Sequence, residues 1–571
     1  MTINLTDTTF IIPYKKDSDD RLDNLLYICE YLISNFDTNI IVLESYNNTI
    51  THSREILRQK IKSNNITYIC VKNTYNFFHR MQYLNMMLNI VTTPVVVNYD
   101  VDIILPVESY VKARDYIIEG KYSFVTPFSN PPGVYLISDK KNFFTDNKIN
   151  PNHTWLVHTT AGPGFAIFAN IEAYKSIGKE NENFKAYGPE DGERVFRIKN
   201  LGYNIGEING PVYHLEHYRT SDSNPSNVHF ANNVNECNKT SLMSEDSLIN
   251  YYGGNFDIKQ SPYFNTLCEY WKNWKNNRTT LTKYPEIKKI VTSNLIGKNG
   301  RLGNQIYQYV FLYIYAFLHQ REVKIPFVKT SNPFVCFRLD DVFYINTSPI
   351  DESESFITKQ ERSYAFDNTL LENTDDNCVN IHGYTQSYKY FEGYEEYIRK
   401  LLIIKKDVVT HATNYLSNIK TLTNNNQIVA IHIRKTDADK ISQCIPCIDS
   451  KIIDLFVPYF TQKYTNISFL VFSDDINWCK QEFKNYNLFY SDNTDVNDFA
   501  IMSMCDHIII GTCSTYSWWA SFINDDGIKE IFAPIPWFNP DSHMGGVHAD
   551  VFSSEWKNWK SYDMVNFCLK I

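Results

Sequence analysis

The 571-residue sequence contains no run approaching the roughly 18 apolar residues that a membrane-spanning helix needs. It has no dense cluster of Lys and Arg, and its net charge is -9. These absences argue against a nucleic-acid partner or an anionic membrane surface. Its first residues, MTINLTDTTFIIPYKK, lack the basic and then apolar pattern of a signal peptide. Twelve cysteines in a chain this long stand mostly alone among apolar neighbours, as reduced core thiols do. Cys444 and Cys447 form a CxxC with no second pair at zinc-ribbon spacing, which reads as a loop feature. The expectation is a cytoplasmic chain, in which sequons such as Asn47 to Thr49 go unused.

Hydrophobic residues at 43% and charged residues at 21% describe a globular chain. Its length exceeds what one core normally holds, so more than one domain is expected. With 40 Tyr and 36 Phe it is rich in aromatics, which suits sugar-binding clefts or ordinary core packing. A restart is visible at Lys289 to Phe317, where Ile290 and Val291 lead into Gly297, Gly300 and Gly303 and a helical pattern follows from Gln305. That is how a nucleotide-binding α/β domain begins. The expected layout is a domain over 1–255, a connecting segment over 256–287 whose Trp271 and Trp274 pack between domains or else contact sugar, and a second domain over 288–571.

In the first half, strands are expected at Thr8 to Pro13, Asn39 to Glu44 and Thr67 to Val71, with helices at Arg21 to Phe36 and Phe77 to Ile90. This alternation predicts a largely parallel sheet with ligands at the strand ends. The stretch TPVVVNYDVDIILP then sets Asp100 and Asp102 on one face of an extended segment, in apolar surroundings. Either a cation meets them or the strand end faces water. Glu190 and Asp191 open a helical pattern after Gly188-Pro189, as helix-dipole partners or as chemistry. His214 and His217 are three apart, so one helical turn brings both to one site, and with the DxD they point to a metal.

The ordered set FFHRMQYLN, NYDVDIILP, GPGFAIF, GPEDGERVFR and the closing His resembles the GT-A glycosyltransferases of the β-galactosyltransferase and chondroitin-polymerase type, over about residues 8–220. The resemblance implies a UDP-sugar donor, Mn²⁺ and inversion at the anomeric carbon. It implies Asp102 and His217 as metal ligands, with His214 or Asp100 completing or supporting the shell. Arg80, Glu44 and Glu190 would serve the donor, and Asp191 would be the general base. Gly188-Pro189 departs from the family's Trp-Gly or Gly-Gly.

The second half repeats a strand followed by a polar loop three times: IVAIHIRKTDAD, FLVFSDDINWC and HIIIGTCSTYSWW. Arg434 leaves its strand where a diphosphate could sit, or it simply pairs with Asp437. Ser514 and Thr515 offer hydroxyls and helix-start amides to an anion, or an ordinary N-cap. The motifs GRLGNQIYQY, HIRKTD, FSDD, STYSWW and PIPWF resemble the α1,2-fucosyltransferases over about residues 290–560. That resemblance implies a GT-B architecture of two Rossmann-like lobes, GDP-fucose as donor and no metal. Arg434 would stabilise the leaving phosphate, and Asn304, Gln305, His432, Asp474, Ser514 and Thr515 would serve the donor. Lys435-Thr436 replaces Arg-Gly, a detail closer to the α1,6-fucosyltransferases. No acid in this half stands out as a base.

Together these imply an α/β enzyme that adds a hexose and then an α-fucose to a glycan or glycoconjugate acceptor. The alternatives are a fucosyltransferase carrying a silent sugar- or nucleotide-binding module, and a nucleotide-sugar sensor or scaffold.

Overall fold

A computed structural model describes residues 2–252 and 289–570, apart from 130, 146–147, 160–161, 218–219, 221–223, 331, 333–335, 346, 351–354, 425–426, 439, 441, 446–450, 540 and 543–549. The connecting segment 256–287, with Trp271 and Trp274, and Cys447 of the CxxC lie outside the described residues. The chain divides into two compact units, Met1–Ile287 and Lys288–Ile571.

The first unit is built on a seven-stranded sheet in the order Ile205–Glu207, Phe124–Thr126, Ala166–Asn170, Val95–Tyr99, Ile3–Tyr14, Phe36–Tyr46, Ile66–Lys72. Its last four strands are parallel, while Ala166–Asn170 runs antiparallel to Val95–Tyr99. Every residue of Val95–Tyr99 is buried, as expected for a strand covered on both faces. The first helix, Asp19–Asn35, is capped by Ser18, whose side chain accepts from the Arg21 N–H. It ends one residue earlier than the apolar pattern suggests, because Phe36 takes extended backbone and enters the sheet with its ring buried. A smaller sheet follows the order Thr154–His158, Val134–Ile137, Val212–His214, Ile103–Ile104.

The second unit holds two sheets. Five strands, Ser348–Pro349, Glu322–Ile325, Ile290–Thr292, Cys378–His382 and Ile357–Gln360, are parallel throughout. Seven more follow the order Phe489–Tyr490, Ile467–Ser473, Gln427–Ile433, His507–Ile509, Ile531–Ile535, Trp559–Asp563, Cys568–Lys570. Only the last pairing of that sheet is antiparallel. Both sheets are Rossmann-like, and such sheets bind ligands beyond the carboxyl ends of their strands. The long helix Leu302–His319 begins three residues before Gln305, so Gly303 lies within its first turn.

Candidate active sites

In the first unit, the chain leaves the large sheet at Asp100, turns, and joins the small sheet at Ile103, which pairs with His214. The Leu215 N–H donates to the Asp102 carbonyl at 2.7 Å. This backbone pairing brings Asp102 to the two histidines. Asp102 Oδ2 lies 2.8 Å from His217 Nε2 and 3.9 Å from His214 Nε2. One ligand atom from each of the three lies within 4.8 Å of the others. Arg21 Nη2 is 3.2 Å from His217 Nδ1. Burial opposes ionisation of Asp102, but the His217 bond and the neighbouring His214 outweigh it and hold the carboxyl below its usual range.

Two expectations are corrected here. His214 closes a strand and His217 follows in irregular chain, so strand pairing rather than a helical turn unites them. Asp100 and Asp102 occupy a turn and diverge: Asp100 Oδ1 takes a 2.6 Å bond from Arg80 Nη2, while Asp102 faces the histidines. Asp100 is therefore no member of the ligand cluster.

Arg80 links the DxD turn to the acidic helix start, its Nη1 lying 3.6 Å from Asp191 Oδ1. Arg194 Nη2 donates to the same oxygen at 2.7 Å, and Arg194 Nε donates to Glu180 at 2.7 Å. Burial would raise the Asp191 carboxyl, but Arg194 and Arg80 prevail and keep it low. Glu190, next to it, is pushed up by burial and by the Asp191 charge, and its Oε2 is buried without a hydrogen-bond partner. Gly164 gives Asp191 its room, since a Cβ there would stand 2.7 Å from Oδ2. Glu44 is not brought to this group. It is wholly buried, and its carboxylate accepts from Thr51, from Tyr68 at 2.9 Å and from Ser53 at 3.5 Å, so its bonds are met inside the protein.

In the second unit, Arg434 follows the strand Gln427–Ile433. Its Nε and Nη2 each donate to Asp437 at 2.9 Å, and its Nη1 donates to the Cys513 carbonyl at 2.7 Å. Arg301 binds the same Asp437 carboxylate. Two guanidiniums thus share one acid, which leaves positive charge at the strand ends. Burial opposes the Asp437 charge, yet the Arg434 bond brings its carboxyl down to about 2. Asp474 ties the turn from the next strand, accepting the Lys435 N–H at 2.7 Å and the Thr436 N–H at 3.3 Å. Thr436 stands outside the left-handed region, so no glycine is required there.

Ser514 caps the helix Thr515–Ile523 by accepting from the Ser517 N–H. Thr515 Oγ1 donates to Asn304 Oδ1 at 3.0 Å, and Gln386 Nε2 donates to the same oxygen at 3.0 Å. His432 is buried 5.7 Å from the Tyr516 ring; burial drives its pKa down to about 4, and its Nδ1 has no hydrogen-bond partner. Gln305 is corrected to a structural role. It is wholly buried, donates to the Gly300 and Cys336 carbonyls, and accepts from the Arg338 N–H. Every bond it makes holds the loop around the helix start.

A small cleft, partly open to solvent, lies beside Thr515, lined by Tyr307, Tyr364, Gln386, Trp537 and Asp550 among others. Sequence reasoning missed Tyr364 and Asp550, which sit outside any motif and are far apart along the chain. It also missed Arg301, whose place beside Gly300 in GRLGNQ was the available signal. Glu361, also missed, accepts from the Tyr384 and Thr385 N–H groups at 2.7 and 3.1 Å, and burial pushes its carboxyl up to about 7.

Arg434 after its strand and Arg301 before the long helix meet on one carboxylate in the second unit, and the chain is a glycosyltransferase. Residues 265–560, more than half of it, match the model of glycosyl transferase family 11, and the chain belongs to that family. It is 27% identical to an alpha-1,2-colitosyltransferase of Escherichia coli over 42% of this chain and 90% of the relative. It is 23% identical to galactoside alpha-(1,2)-fucosyltransferase 2 of Bos taurus over 42% of this chain and 70% of the relative. Among solved structures, the fucosyltransferase NodZ from Bradyrhizobium is 12% identical over 42% of this chain and 92% of that chain, with a TM-score of 0.29. The catalytic domain of Drosophila beta1,4galactosyltransferase 7 is 13% identical over 37% of this chain and 71% of that chain, with a TM-score of 0.23. No helix among the described residues is long and apolar enough to cross a membrane.

Proposed function

We propose that the chain is a bifunctional glycosyltransferase, with a GT-A domain over 1–255 transferring a hexose, galactose or an N-acetylhexosamine, from a UDP-sugar. A GT-B domain over 288–571 transfers fucose from GDP-fucose to a galactoside, in α1,2 linkage. The observation that carries the second activity is the sharing of Asp437 by Arg434 and Arg301, which supports charge stabilisation of a departing diphosphate without a metal. Ser514, Thr515 and the first amides of their helix complete that anion cradle.

For the first activity, the donor set of one carboxylate and two imidazoles suits Mn²⁺. Asp102, His214 and His217 would hold the ion, which when bound supplies positive charge to the UDP leaving group. Asp191, held ionised by Arg194 and Arg80, takes the proton from the acceptor hydroxyl. Arg80 fixes Asp100 and Asp191 relative to each other and so sets the acid against the metal turn. The family match lies wholly within residues 265–560, which favours as second reading a lone fucosyltransferase with a silent first unit. Retention of Asp102, His214, His217 and Asp191 in one region supports the bifunctional reading instead.

The test is turnover by the full chain of a UDP-sugar panel, GDP-fucose and a colitosyl donor, with Mn²⁺ or with EDTA. Metal-dependent use of a UDP-sugar and metal-independent use of GDP-fucose are expected. UDP-sugar binding without turnover on any acceptor would reduce the first unit to an accessory module.

A further inference from the structure

Fucosyl transfer needs a seat for the acceptor and a group to take its proton. The cleft beside Thr515 has features of both. Thr515 belongs to the helix start that meets the donor's phosphates and also lines the cleft, and Gln386, another lining residue, shares its bond to Asn304. Thr515 and Gln386 thus tie that helix start to the cleft wall.

The walls suit a carbohydrate. Tyr364 lies 5.5 Å from the Phe538 ring and stacks on Tyr384 at 6.0 Å and 14°. Trp537 and Phe538 both line the space. Aromatic faces take up the apolar face of a pyranose ring, while a few polar groups fix its hydroxyls. Asp550 is the one carboxylate among the lining residues. Its side chain is only 9% exposed and its position is fixed from two sides. Oδ2 accepts from the Phe366 N–H at 2.9 Å, and Oδ1 lies 2.6 Å from Lys389 Nζ. The bond to Asp550 in turn raises Lys389 above the ordinary lysine range, so the ammonium stays charged beside it. Glu361 is another acid of this unit, but its Oε2 is committed to the backbone of Tyr384 and Thr385, and it does not line the cleft.

We infer that this cleft seats the acceptor's sugar ring and that Asp550 accepts the proton of the attacking hydroxyl, an assignment that rests on the fucosyl-transfer reading above. The hydroxyl O–H bond breaks and its proton passes to the Asp550 carboxylate. The oxygen's electron pair forms the new bond to the anomeric carbon. The bond from that carbon to the diphosphate breaks, and its pair leaves on the phosphate oxygen facing Arg434. No further reactant is needed.

The experiment uses the full chain, GDP-fucose and lactose as acceptor, with GDP affinity measured alongside by titration. Asp550→Asn is expected to lower kcat at least 100-fold, the range for loss of a general base, with GDP affinity unchanged within twofold. Asp550→Glu should restore part of the rate. Trp537→Ala should raise the lactose KM about tenfold and leave GDP affinity alone. Transfer by Asp550→Asn within threefold of the wild type would overturn the inference while leaving the fucosyl reading intact. So would loss of GDP affinity in that variant, which would make Asp550 a support of the fold. Failure of the wild type to transfer fucose to any galactoside would overturn reading and inference together.

Discussion

Arg434 and Asp437 meet side by side, Nε on Oδ1 and Nη2 on Oδ2, both at 2.9 Å. The carboxylate is also bound by Arg301, so it orients two cations without cancelling both. Arg434→Ala should lower fucosyl transfer by about 10²- to 10³-fold, as loss of a preorganised charge does. Arg434→Lys should recover little, because one ammonium cannot make the two-point contact. Transfer rates of the purified variants, with hexosyl transfer as the internal control, check both.

Asp191→Asn should abolish hexosyl transfer and leave UDP affinity and fucosyl transfer as they were. The amide keeps the shape but cannot take a proton, although its oxygen can still accept from Arg194. Product analysis with both donors present reads the two activities from one sample. Retained hexosyl transfer would remove Asp191 from the base role.

His217→Ala removes one of three clustered ligand atoms and should weaken Mn²⁺ binding in a direct titration at least tenfold. EDTA should stop hexosyl transfer while fucosyl transfer continues. Equal sensitivity of both activities to the chelator would contradict the division of chemistry between the units.

Gly303→Ala should destabilise the second unit by about 1–3 kcal/mol, the usual range for overpacking. The added Cβ would stand 2.5 Å from Thr515 Oγ1 and 2.5 Å from the Tyr516 backbone nitrogen, and backbone cannot swing aside as a side chain can. A thermal melt that separates the units measures it, and an unchanged transition would show that the helices part easily.

Glu361 gives a pH signature. Its carboxyl is raised from 4.5 to about 7 by burial, so the folded state holds a proton that the unfolded chain has lost between those values. Stability therefore falls as pH rises from about 4.5 to 7. Glu361→Gln should flatten that decline, gaining on the wild type as pH rises through the window. Parallel pH-stability curves for the two proteins would refute the shift.

Much of the first unit's order was legible because its strands are apolar runs at regular spacing, and Val95–Tyr99 is unmistakable in VVVNY. The acidic helix start at Glu190 was legible too, from Pro189 and the first-turn acids. The meeting of Asp102 with His214 and His217 was suggested by residue type, but the means was misread: a helical turn was expected where a strand pairing does the work.

The sequence by itself determined two α/β halves, the parallel strands that end in Arg434 and Asp474, and the residue types of both sites, because these follow from local periodicity and turn chemistry. Only the tertiary structure decided which polar groups are spent on partners inside the protein. Glu44 and Gln305 look like site residues in a linear reading, yet the fold spends their hydrogen bonds inside the protein. Asp550 and Tyr364 look like nothing in the sequence, and packing sets them in one cleft. Partner choice joins residues 24 apart at Glu44, 33 apart at Gln305 and 184 apart at Asp550, and no local pattern encodes it.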